Sequence, residues 1–211
     1  MGNQLTYSYY HWGPLLFRTQ ITPDECQKLL EEGKKCRKKS NDYRSKLAGH
    51  LAEEYRLTDM KSMVEWFNKY LKAYINALKK WRGTSDPNYK SPSNLHLESV
   101  WINYMKNNDF NPPHIHDGDL SFVIYPSIPK EITKENKAFI GKRNKGGGPG
   151  GITFLYGEEV KHCVSAVDHV PATGDLFIFP ATLKHWVFPF RSTVERISVS
   201  GNVFFNKKDL K

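Results

Sequence analysis

The chain has 211 residues, 31 Lys and Arg against 22 Asp and Glu for a net charge of +9, and 39% hydrophobic residues. That length supports one domain, residues 1–211, with its own core and no need of disulfide staples. The three cysteines, Cys26, Cys36 and Cys163, lack zinc-type or CxxC spacing, which predicts free thiols in a reducing compartment. No apolar run reaches transmembrane length and no signal-peptide pattern opens the chain, so no membrane span and a cytoplasmic location are expected.

The Gly2 and Thr6 match to a myristoylation pattern reads as chance, because no polybasic helix supports it. The positive charge gathers in runs such as Lys34–Lys39, Lys79-Lys80 and Lys142-Arg143, which read as solvated faces. A nucleic-acid partner is compatible with the charge, but no interleaved aromatic motif supports one.

In chain order, residues 7–21 are aromatic and β-prone and predict a first strand, with Tyr9, Tyr10 and Trp12 packing on the helices that follow. Thr22-Pro23-Asp24-Glu25 then opens a helix running to about Lys38: Thr22 caps, Pro23 suits the first turn and Glu25 completes a capping box. A short helix is expected over residues 45–56. Thr58-Asp59 opens a longer one, whose face of Met60, Met63, Val64, Phe67, Tyr70, Leu71, Tyr74, Ile75, Leu78 and Trp81 repeats at three and four and predicts packing on a sheet. Gly83 and the run Ser85–Asn88 end it.

From residue 95 the period becomes two. Leu95, Leu97, Ser99 and Trp101 would face one side and Glu98, Val100, Ile102 and Tyr104 the other. Residues 120–125, 152–156, 175–179, 187–190 and 196–205 are further strands. Without a βαβ rhythm, these predict an α+β fold: an antiparallel jelly roll over 95–206, with the mainly helical residues 1–94 packed on one sheet. The glycine-rich run 146–151 has no Lys-Ser/Thr or helix after it, so it reads as a flexible connection, and 127–151 as long enough for a mobile lid.

Two stretches carry chemistry. Pro112-Pro113-His114-Ile115-His116 puts two histidines at alternate strand positions, facing the same way, and His185 lies on a distant strand that a jelly roll can bring to the same mouth. Neutral imidazoles suit Fe, Zn, Cu or Ni, and the spacing alone leaves a cupin-type metal protein and an iron oxygenase open. Arg196 and Ser198 share a strand face and together suit a carboxylate, by a bidentate pair and a hydroxyl hydrogen bond. The bland alternative for Arg196 is an ion pair with Glu195.

The run GDLFIFPATLKHWVFPFRSTVERISVSGN resembles the C-terminal signature of Fe(II)/2-oxoglutarate dioxygenases of the prolyl-hydroxylase-like kind. The upstream run WINYMKNNDFNPPHIHDGDLSFVIYP is similar to the matching half of a branch common among bacteriophages. The likeness is close over about 95–205 and one of general layout over 10–80. It implies a double-stranded β-helix that binds Fe(II) and uses 2-oxoglutarate and O2 as co-substrates. His114 and His185 match the family's metal histidines, Arg196 and Ser198 the pair on the far carboxylate of 2-oxoglutarate, and Asn103 and Tyr125 polar pocket positions.

The chain departs from the family where a carboxylate is usual two residues after the first histidine, since His116 stands there. His116 is then the expected third ligand, with Asp119 as the alternate and Asp117 facing away. The resemblance implies a hydroxylase releasing succinate and CO2, with a prolyl or other peptidyl substrate as the natural expectation and the host cytoplasm as its place if phage-encoded. The competing reading is a cupin-type metal protein or dioxygenase without 2-oxoglutarate, which leaves Arg196 and Ser198 unexplained.

Overall fold

The computed structural model describes residues 13–83, 86–90, 92, 95–140, 147–158 and 161–205. Its elements run β1 (Phe17–Gln20), α1 (Pro23–Cys36), β2 (Glu54–Arg56), α2 (Met60–Gly83), β3 (Leu95–Met105), β4 (Asn111–His114), β5 (Leu120–Ser127), α3 (Lys130–Ile140), β6 (Ile152–Leu155), β7 (Ala166–His169), β8 (Asp175–Pro180), β9 (Lys184–Val187) and β10 (Arg196–Phe205). Six strands form one antiparallel sheet in the order β1-β8-β5-β10-β3-β2, and four form a second in the order β4-β9-β6-β7.

Strict alternation along the central strands gives the large sheet two buried faces. Leu120, Phe122 and Ile124 of β5, with Leu176 and Ile178 of β8, pack in one core with Cys26 and Leu29 of α1 and Phe67, Leu71 and Tyr74 of α2. Their neighbours Val123, Tyr125, Phe177 and Phe179 point the other way, into a second core with Ile152 and Phe154 of β6 and Val187 of β9. Gly201 on β10 lets the sheet close tightly, since a Cβ there would sit 2.6 Å from both the Phe122 ring and the Ser99 carbonyl.

The two long helices are tied by one buried carboxylate. Thr22 caps α1 in the expected box, its hydroxyl accepting from the Glu25 amide at 3.3 Å while Glu25 Oε2 accepts from the Thr22 amide at 2.7 Å. Glu25 also accepts from Trp66 Nε1 at 2.7 Å and Tyr70 hydroxyl at 2.9 Å, and pairs with Lys69. Burial alone would raise its carboxyl, but the Lys69, Thr22, Trp66 and Tyr70 hydrogen bonds outweigh it and hold the pKa at about 2.

Several sequence expectations are corrected. The first strand is only Phe17–Gln20, and residues 1–12, with Gly2, Thr6, Tyr9, Tyr10 and Trp12, lie outside the described residues. The expected helix over 45–56 is absent: a single 3-10 turn at Arg44–Lys46 opens the span and β2 closes it, with another 3-10 turn just before the span at Lys39–Asn41. The span 127–151 contains α3, anchored by Ile132 in the second core and by Glu135, which accepts from the Arg191 and Ser192 amides. The end of the glycine run is a turn closed by the Gly151 amide on the Gly148 carbonyl at 2.8 Å. Val64 is 45% exposed at the rim of the α2 face rather than in it. Leu97 joins Val100 and Ile102 on the helix side because a register shift opposite Asn202/Val203 skips Glu98 and reverses the alternation. The ninth strand runs 184–187, not 187–190, since Pro189 has no amide to continue the ladder. The strand β7 has no counterpart in the sequence reading.

Candidate active site

The histidines meet because the small sheet places two of them opposite each other. β4 and β9 pair with His114 in register with His185. The pairing slips by one residue between Asn111 and His114, at Pro112-Pro113, where two residues lack amides and an edge strand can bulge. β4 ends at His114, so His116 is not on a strand; its amide donates to the Ala181 carbonyl at 2.9 Å, which seats it beside the β8–β9 turn. Gly118, at φ 99°, then turns the chain into β5.

The ligand atoms of His114, His116 and His185 all lie within 4.8 Å of one another. His114 Nδ1 sits 2.7 Å from the Pro112 carbonyl and His185 Nδ1 2.8 Å from the Leu183 carbonyl. A carbonyl only accepts, so both Nδ1 atoms carry the proton and both Nε2 atoms carry the lone pair. His116 Nε2 lies 3.2 Å from His185 Nε2. Burial, with the neighbouring His185 and His114 adding, pushes His116 down to about 3. Burial and His114 push His185 down to about 4, and burial lowers His114. All three are neutral at physiological pH, the form that binds a metal.

The same cavity, of about 850 Å³, is lined by Asn103, Tyr125, Arg196 and Ser198. β10 pairs with β3 so that Arg196 opposes Met105 and Ser198 opposes Asn103, all on the inner face. Arg196 is 2% exposed, lies 4.8 Å from the centre of the Tyr125 ring, and has no carboxylate partner among the described residues; its Nη1 donates to Met105 Sδ at 3.6 Å. Glu195 pairs instead with Arg37 at 2.8 Å, which removes the surface ion-pair reading of Arg196. Asn103 Nδ2 donates to Ser198 Oγ at 3.2 Å.

Arg196 Nε, Tyr125 hydroxyl and Asn103 Oδ1 are buried without hydrogen-bond partners among the described residues. Burial pushes the Tyr125 phenol up to about 12, with Arg196 acting against it, so its hydroxyl stays a donor. Orphaned polar atoms in one place mark a polar ligand site, since folded proteins satisfy nearly all such groups. A buried guanidinium beside three neutral imidazoles fits a dianionic metal-chelating acid together with a divalent metal.

Asp119 stands apart from this cluster, its Oδ2 accepting from the Phe205 amide at 2.7 Å. Among the cavity residues that sequence reasoning did not single out as site residues are Trp101, whose ring centre is 5.7 Å from that of His116, Met105, Asn111 and Glu54. Trp101 and Met105 were findable as period-two companions of Asn103. Nothing in the sequence marks Glu54 or Asn111.

Residues 99–202 match the family described as "Putative 2OG-Fe(II) oxygenase". Among solved structures, the chain is similar to a viral collagen prolyl hydroxylase from Paramecium bursaria Chlorella virus-1, in complex with 2-oxoglutarate. The TM-score is 0.54 at 14% identity, covering 89% of this chain and 94% of that one. It is also similar to a prolyl hydroxylase from Trichoplax adhaerens, bound to a hypoxia-inducible-factor peptide fragment. There the TM-score is 0.53 at 13% identity, covering 93% and 85%. At these identities the structures speak for the fold, the double-stranded β-helix expected from the sequence. A search of curated proteins returns no match. Among the described residues, no helix is long and apolar enough to cross a membrane. Over residues 99–202, just under half of its length, the chain matches the 2OG-Fe(II) oxygenases, enzymes that work with Fe(II), 2-oxoglutarate and O2.

Proposed function

We propose that the protein hydroxylates a C–H bond of a prolyl or other peptidyl substrate, with His114, His116 and His185 as its iron ligands and Arg196 and Ser198 as its 2-oxoglutarate anchor. The observation that carries this reading is the buried Arg196, with no carboxylate partner among the described residues, in the same cavity as three converging imidazoles. The peptidyl substrate is favoured because both similar structures reported above are prolyl hydroxylases and one holds a peptide.

In this scheme Fe(II) with 2-oxoglutarate supplies the oxidation, in which O2 and 2-oxoglutarate give succinate, CO2 and one oxygen atom inserted into the substrate C–H bond. The chain's own residues do the positioning. The two backbone-bonded Nδ1–H groups orient His114 and His185. Arg196 presents its guanidinium to the far carboxylate, and Ser198, held by Asn103, presents its hydroxyl. Tyr125 donates its free hydroxyl alongside and shields the guanidinium from water with its ring. Phe154 and Phe179, with ring centres 5.8 and 4.9 Å from that of His185, exclude water on the far side.

The direct test is succinate release by the Fe(II)-loaded protein, with and without 2-oxoglutarate, across proline-containing peptides. Turnover that requires both, and hydroxylated peptide found by mass spectrometry, is the expected result. A metal-loaded protein that neither binds nor consumes 2-oxoglutarate would refute the reading and return the cupin-type alternative.

A further inference from the structure

The cavity has a second polar pole that the chemistry above does not use. Glu54 lies on β2 in register with Asn103, so it faces inward beside Asn103 and Ser198, while Tyr55 packs toward the helices. Glu54 is 2% exposed, lines the cavity, and its Oε2 has no hydrogen-bond donor among the described residues. Asn111 Oδ1, on the same lining, is likewise buried without a donor. The two side chains converge on Gly49, where a Cβ would lie 2.5 Å from Asn111 Oδ1 and 3.0 Å from Glu54 Oε1.

Lys46 and Arg56 also line this cavity, but both are exposed and neither forms an ion pair with Glu54 among the described residues; three further cations are committed elsewhere. Arg37 and Lys106 both bind the adjacent Glu53, and Arg44 binds Asp42 and the Ala52 carbonyl. A carboxylate this deeply buried without a cation is costly, and folded proteins keep one mainly where a ligand completes it. We propose that Glu54, with Asn111 beside it, determines substrate specificity by receiving a cationic group, an ammonium or guanidinium, of the primary substrate. This rests on the hydroxylase reading only in taking that substrate to enter the cavity. The two poles then divide the work: Arg196 takes the anionic co-substrate and Glu54 the cationic end of the substrate.

The electrostatics agree. Burial, reinforced by Asp109 and Asp42 and opposed by Arg44, pushes the Glu54 carboxyl up to about 7. A cation binds the ionised form, so affinity for a cationic substrate falls as pH drops below about 7.

The test uses the full chain and two readouts. Peptides carrying Lys, Arg, Ala or Glu next to proline, each with a free or an acetylated amino terminus, are titrated calorimetrically into wild type and Glu54→Gln. Succinate release is followed in parallel. The lysyl and arginyl peptides, or the free-amine peptides, should bind roughly tenfold or more tighter than neutral ones, and Glu54→Gln should erase that difference. The KM for 2-oxoglutarate should not move. Which arm shows the preference identifies a side-chain or a terminal cation. Equal affinity for cationic and neutral peptides in the wild type, or a preference that survives in Glu54→Gln, overturns the proposal. A charge preference with no 2-oxoglutarate turnover would sink the hydroxylase reading and leave Glu54 in place. Normal turnover with no charge preference would do the reverse.

Discussion

Arg196→Met separates a ligand anchor from a structural ion, because the two roles predict opposite balances of stability and binding. In the ligand-free protein the guanidinium is 2% exposed and touches the Tyr125 ring and Met105 Sδ, with no carboxylate among the described residues. Its removal gives up a cation–π contact of about 2 kcal/mol and relieves a desolvation cost of similar size, so ligand-free stability should change by no more than ~2 kcal/mol. With a carboxylate bound, the same residue would make two charge-assisted hydrogen bonds, together about 3–5 kcal/mol on truncation, or on the order of 10²–10³-fold in affinity. Thermal denaturation and anaerobic titration of the Fe(II)-loaded protein with 2-oxoglutarate read both. At a hundred times Kd, the co-substrate should stabilise the wild type by ~2.7 kcal/mol, roughly 5–10 °C in Tm, and leave the variant unmoved. A variant that still gains the full shift, or that loses more than about 4 kcal/mol before any ligand is added, would refute the assignment.

Other residues make separate predictions. His116→Ala should strip bound iron by at least an order of magnitude, whereas Asp119→Asn should leave the iron content intact and cost about 1 kcal/mol through its bond to the Phe205 amide; iron content and denaturant unfolding decide, and the reverse pattern makes Asp119 the ligand. His116→Asp, which restores the family's usual ligand set, should retain metal. Glu25 is held at about 2 in the folded protein, below its ordinary 4.5. Its stabilisation is therefore complete above pH 4.5 and lost as pH falls toward 2. Glu25→Gln should cost about 2–3 kcal/mol at pH 7 and flatten that acid limb, seen in unfolding midpoints across pH.

Much of the frame is written locally. Thr22-Pro23-Asp24-Glu25 predicts its own capping box, and the face of α2 is legible from spacing alone except for Val64, where one step around the helix brings exposure. The misreadings fall where pairing partners decide. Residues 54–56 carry no strand pattern of their own and become β2 only because β3 offers an edge. The register shift near Asn202 moves Leu97 to the opposite face, a displacement no period count contains.

The same division holds in the candidate site. Arg196 and Ser198 were readable because two-residue spacing on a strand is a local fact: alternate side chains share a face whatever the strand packs against; the strand expected to carry both His114 and His116 ends at His114. That His114 stands opposite His185, that His116 reaches the cluster from beyond the end of β4, and that Asp119 turns instead to the Phe205 amide are set by backbone hydrogen bonds between segments far apart in the chain. Glu54 is the extreme case. It is one carboxylate among many in the sequence, and only its burial on the inner face of β2, with Arg37, Lys106 and Arg44 drawn to other partners, leaves its Oε2 without a donor in the cavity and its carboxyl pushed up to about 7. Periodicity is a property of the chain, but desolvation and the competition for partners belong to the folded whole.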